Sequence, residues 1–251
     1  MESVYNRLEK RTRQIVSQFP PPAFFAECND AHVRATSFFN SDPTIGALKK
    51  SAAGELNDDF GHGMTHATKV AIDAGAILIV EATAHNYSES TIDRLLLLVQ
   101  TAGLLHDVSR MEKEHAQKGA RKARRILSNF SFSNSEVDDI CRAIQNHEAF
   151  KQTLASPTRA GALISDCLYD ADKFRWGPDN FTDTVWAMIR HAKVPVERFF
   201  KGYHRGMTAL EKIRITFRTT TGKKYGPDFI DTGLAIGNEL YRVMKDEYQL
   251  G

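Results

Sequence analysis

The chain has 251 residues, 42% of them apolar and 25% charged, and its 33 basic and 31 acidic side chains leave a formal net charge of +2. That length can bury a substantial core and predicts one main globule, while the composition excludes disorder and fibrous structure, and the balanced charge excludes a strong field for nucleic acid or anionic lipid. Cys28, Cys141 and Cys167 are odd in number and widely spaced, which argues against a disulfide framework or a thiolate zinc site and for reduced core thiols.

The N-terminal stretch MESVYNRLEKRTRQIV is charged and amphipathic rather than a signal core. No later stretch reaches the roughly 18 apolar residues of a membrane span. A cytoplasmic protein with no membrane partner is the expectation. Breaks are predicted at FPPP (19–22), NSDPT (40–44), GHG (61–63), SNFSFSNS (128–135), WGPDN (176–180) and TTTGKKYGPD (219–228), leaving seven to ten helices between them.

In DRLLLLVQTAGLLHD, Leu95, Val99, Ala102 and His106 recur at spacings of four, three and four, so one helical stripe faces inward and ends on a histidine. Ile140, Ala143, Ile144 and His147 repeat the pattern, as do Ala162, Ser165, Tyr169 and Asp172. Helix starts are read at Ser90, at Ser133 with Glu136 as a capping box, and at Ser156-Pro157. The segment RITFRTTTGKKYG admits a short hairpin edge as the alternative to helix. Lys118, Arg121, Lys122, Arg124 and Arg125 form a basic face on one helix, read as solvated.

His66, His106, Asp107, His147 and Asp172 thus stand at inward positions, with His115 close by in sequence. Imidazole and carboxylate are the usual ligands of borderline divalent metals, and burying several together is costly unless an ion compensates. A histidine and an aspartate adjacent in sequence point about 100° apart on a helix, so both reach one ion most easily where the helix ends, which VSR is expected to bring about.

In order, THATKVA with His66, AGLLHDVSR with His106 and Asp107, and YDADKF with Asp172 resemble the signature of the HD-domain superfamily of metal-dependent phosphohydrolases. The resemblance covers about 110 residues. It implies an all-α HD-domain helical bundle but does not extend to residues 1–55 or 185–251. The breaks along the chain add N- and C-terminal helices to it: an N-terminal arm over 1–55, a core over 56–177 and a helical cap over 178–251. The resemblance implies that His66, His106, Asp107 and Asp172 bind a divalent ion (Mn, Fe, Ni, Co, Mg or Zn), with His115 and His147 as candidate ligands of a second.

Such an ion activates water and polarises a phosphoryl oxygen, so hydrolysis of phosphate esters or anhydrides in nucleotides or other small phosphorylated metabolites is the expected activity. Asp107 is assigned a second role in orienting the attacking water. Lys69, Arg110 and Lys173 are candidate phosphate clamps, and His62 a candidate mouth residue. HDVSRME lacks the Glu-Asp pair of the alarmone-degrading branch, and no Gly-Tyr-Pro element of the cyclic-dinucleotide branch follows. A di-iron HD-domain oxygenase and a non-catalytic ligand sensor are the alternatives. A small phosphorylated substrate is the expected partner, no nucleic-acid polymer is expected, and self-association is left open.

Overall fold

The computed structural model describes residues 4–56 and 63–248. Twelve α-helices follow in order: α1 (Val4–Val16), α2 (Ala23–Glu27), α3 (Asn29–Ser41), α4 (Pro43–Ala52), α5 (Met64–Ala84), α6 (Glu89–Leu105), α7 (His115–Leu127), α8 (Asn134–Gln145), α9 (Arg159–Phe174), α10 (Val185–His191), α11 (Val196–Ile213) and α12 (Thr220–Tyr248), with a π-helical turn (Asn180–Thr184) leading into α10. The fold is all-α, and no strand occurs among the described residues. The count exceeds the predicted seven to ten because the N-terminal third divides into four short helices.

The central pair is α5 and α6. Helix α5 is apolar nearly all round and buried along most of its 21 residues, as a helix enclosed by neighbours must be. Helix α6 crosses it closely: a methyl at Gly103 would lie 2.6 Å from the Ala71 Cα. Helices α3, α8 and α9 cover the pair. One hydrophobic core runs from Phe24 to Ile230, and a second joins α1, α10 and α11 to the far half of α12 through Leu8, Trp186, Tyr203 and Leu240.

Local chemistry explains the boundaries. Ser133 accepts from the Glu136 amide and Glu136 answers the Ser133 amide, so the predicted capping box holds. The α6 cap is Ser88 rather than Ser90, because its hydroxyl is the one that reaches the Thr91 amide. The α9 cap is Thr158 rather than the Ser156-Pro157 step, with its hydroxyl on the Gly161 amide. Ala162 is exposed, so that stripe begins at Ser165.

The largest departure is at 219–228, which is neither a break nor a hairpin. Two buried carboxylates from the core start α12: Asp170 accepts from the Arg218 and Thr219 amides at 2.8 Å, and Glu81 accepts from the Thr221 amide at 2.6 Å. Pro227 then lies inside the helix. Tyr225 and Phe229, packed on Phe24 on either side of it, hold the turn that a lone proline would break. All three cysteines are free and buried, as expected. Among the described residues no helix is long and apolar enough to cross a membrane.

Candidate metal centre

Five helices deliver the site, with His115 opening α7. His66 lies in the first turn of α5, Asp172 and Lys173 in the last turn of α9, and His147 just past the end of α8. Helix α6 ends at Leu105, one residue before His106 and short of the predicted VSR stop; residues 106–110 continue as tighter turns, with the Val108 amide on the Leu105 carbonyl and the Arg110 amide on that of Asp107, and His106 and Asp107 approach each other at 3.4 Å. His106, Asp107 and His147 are nearly inaccessible to solvent.

His66 Nε2 lies 3.3 Å from His106 Nε2, 3.8 Å from Asp107 Oδ2 and 3.4 Å from Asp172 Oδ1. His106 Nε2 lies 3.4 Å from Asp107 Oδ2 and 3.8 Å from Asp172 Oδ1. Ligand atoms held about 2.0–2.2 Å from one ion sit about 3–3.6 Å from their neighbours, so the spacing suits a metal. On the other side of the same carboxylate, Asp107 Oδ1 lies 3.5 Å from His147 Nε2 and 3.9 Å from His115 Nε2, and the two imidazole nitrogens are 3.1 Å apart. His66, His106 and Asp107 form one triad that can hold an ion, and Asp107, His115 and His147 form another.

The donor set passes a chemical test of fit. His106 Nδ1 is 2.7 Å from the Gly103 carbonyl and His147 Nδ1 is 2.6 Å from that of Ile144, contacts that place a proton on Nδ1 and leave each Nε2 a lone pair turned into the cluster. Arg110 can only donate, so its Nη1, 3.1 Å from His115 Nε2, makes that nitrogen an acceptor as well. His115 and His147 therefore point lone pairs at one another, an arrangement that a cation relieves. Burial first, then the neighbouring His147, pushes the His115 pKa down to about 4, so the ring is neutral near pH 7. Burial works against ionised Asp172, but Lys173 and then His66 outweigh it and hold its carboxyl well below the usual range.

The family model for the HD domain matches residues 63–177. Residues 63–177 are an HD domain. No curated protein and no solved structure gave a match to the chain. HD domains bind divalent metals, and every histidine and aspartate of both triads lies within the matched span.

The predicted clamps divide. Arg110 and Lys173 line the large cleft that opens from the HD domain's triads, whereas Lys69 lines a smaller pocket beside His66, its Nζ 2.8 Å from Asp183 and 3.2 Å from Asp179. His62 lies outside the described residues. The sequence reading missed buried Arg175, three residues after Asp172, which pairs with Asp73 on α5 and with Asp179. His32 completes the chain, 3.2 Å from Asp73. The available signal was the i, i+4 spacing of Arg175 and Asp179; nothing local points to Asp73.

Proposed function

We propose that this HD-domain protein is a metal-dependent phosphohydrolase of a small phosphorylated metabolite, in which His66, His106, Asp107 and Asp172 would hold one divalent ion and Asp107, His115 and His147 would hold a second. The observation that carries the reading is the carboxylate of Asp107, whose two oxygens each serve a separate histidine pair. Divalent ions held there would supply a more acidic water and would neutralise charge on phosphoryl oxygens.

The protein's own groups supply the rest. Gly103 and Ile144 carbonyls fix the tautomers of His106 and His147, so the nitrogens need no reorganisation when loaded. Asp107 and Asp172 bring two carboxylates to the centre, and Lys173, bonded to Asp172, and Arg110, near Asp107, offset their charge. Arg110 and Lys173 face the cleft and offer hydrogen bonds to the non-bridging phosphoryl oxygens. Water oxygen bonds to phosphorus as the ester P–O bond breaks, and the departing alkoxide leaves as the alcohol with a proton from solvent. Lys69, tied to two aspartates, anchors α5 to the segment after α9 rather than touching substrate.

A small metabolite fits the surface better than a nucleic-acid polymer. On the basic face of α7, Lys118 pairs with Glu112, Lys122 with Glu55 and Arg124 with Asp138. A phosphate-release screen on phosphomonoesters with Mn, Co, Ni, Mg and Fe(II) tests the proposal. Turnover abolished by chelation and by Asp107→Ala is expected. Silence across the screen, or turnover that survives chelation or consumes dioxygen, overturns it.

A further inference from the structure

The triads occupy only one end of a cleft of about 820 Å3. Its other end is built outside the HD domain, by the π-helical turn, α10 and α11, and its walls there are Phe181, Val185, Met188, Phe199 and Met207. A phosphoryl group with its metals needs none of this apolar wall. Two large apolar side chains of the cleft, Phe150 and Met188, are also exposed to solvent, and Phe150 holds a left-handed backbone with φ 62°, unusual for an aromatic residue. Exposed apolar surface concentrated around one concave site marks ligand contact.

Two glycines make the wall of α11 hollow. Gly202 and Gly206, one turn apart and seven and eight residues from the nearer end cap, line the cleft, and a methyl on either would meet nothing within 4 Å. No close helix crossing demands glycine there, unlike Gly103. Glycine is also a poor helix former, so local stability gives no reason for two of them inside an 18-residue helix. What they do is leave room in the cleft. Arg198 and Arg205, exposed beside them on the same wall, set positive charge at the rim and draw an anion inward.

We propose that the α10–α11 end of the cleft is a leaving-group pocket for a phosphomonoester with a bulky apolar body, and that Gly202 and Gly206 are the residues that admit it. This rests on the phosphohydrolase reading for the phosphoryl end alone. The apolar end is tested separately.

The experiment is calorimetric titration of the metal-loaded protein with inorganic phosphate, 1-naphthyl phosphate and 1-naphthol, on the wild type, Gly206→Leu and Gly202→Leu. Metal content and melting temperature serve as fold controls. Because both positions face open space, neither leucine should lower the melting temperature. Wild type should bind 1-naphthyl phosphate about tenfold or more tighter than phosphate. It should also bind 1-naphthol measurably, and each leucine should remove both effects. Naphthol binding without phosphate binding retains the pocket and overturns the phosphohydrolase reading. Naphthyl phosphate no tighter than phosphate, with no naphthol binding, overturns the pocket, as does full affinity in both leucine variants.

Discussion

Gly103→Ala tests whether the close crossing of α5 and α6 builds the metal centre. The added methyl would lie 2.6 Å from the Ala71 Cα, 2.9 Å from its nitrogen and 3.1 Å from its Cβ. Carbon atoms pack at about 3.5–4.0 Å, so the helices must part by about 1 Å. Overpacking of this kind costs about 1–3 kcal/mol, and replacing a helical glycine by alanine returns about 1 kcal/mol, for a net loss of up to about 2 kcal/mol. In a chain of this size that lowers the melting temperature by up to about 8 °C. The site should suffer more than the fold. His66 lies five residues before Ala71 on α5 and His106 three residues after Gly103, so the parting widens the 3.3 Å gap between their Nε2 atoms to roughly 4 Å, beyond the about 3–3.6 Å that one ion spans. Metal affinity, read by chelator competition, should fall about 10–100-fold. Wild-type affinity and melting temperature in Gly103→Ala would refute the reasoning.

Three further outcomes follow from named contacts. Among the described residues Arg175→Met leaves buried Asp73 with His32 and half-buried Asp179 with Lys69, and should cost about 3 kcal/mol in urea unfolding; a loss below about 1 kcal/mol contradicts the Arg175–Asp73 pair. The hydrogen bonds from Arg94 hold the Glu136 pKa at about 2, below its ordinary 4.5, so the pair's stabilisation is present above pH 4.5 and disappears as pH falls through about 2. The stability gap between wild type and Arg94→Ala should therefore be full at pH 7 and shrink below pH 4.5, and a gap independent of pH refutes this. His147→Ala should bind one ion where the wild type binds two, measured by elemental analysis; unchanged stoichiometry removes His147 from the second triad.

Much of the site was legible in the chain because its residues sit on periodic apolar stripes: the stripe that ends on His106 follows Leu95, Val99 and Ala102, all buried. The capping box at Ser133 was legible for the same reason, since both partners lie within one turn. What stayed hidden depends on partners remote in sequence. Asp73 and Arg175 are 102 residues apart, and neither position carries a periodic signal for the other. Lys69 read as a phosphate clamp because it follows His66 by three, yet Asp183, 114 residues on, holds it. The turn signals at 219–228 were real local preferences. They were outweighed because Asp170 and Glu81 cap α12 from the core, a tertiary contribution that Thr, Gly and Pro spacing does not contain.

Anomalous scattering from crystals grown with saturating manganese tests the central claim most directly. The account predicts one peak within bonding distance, about 2.0–2.3 Å, of His66 Nε2, His106 Nε2, Asp107 Oδ2 and Asp172 Oδ1, and a second beside Asp107 Oδ1, His115 Nε2 and His147 Nε2. No peak between those four side chains, or a peak held by other residues while they turn away, would contradict it.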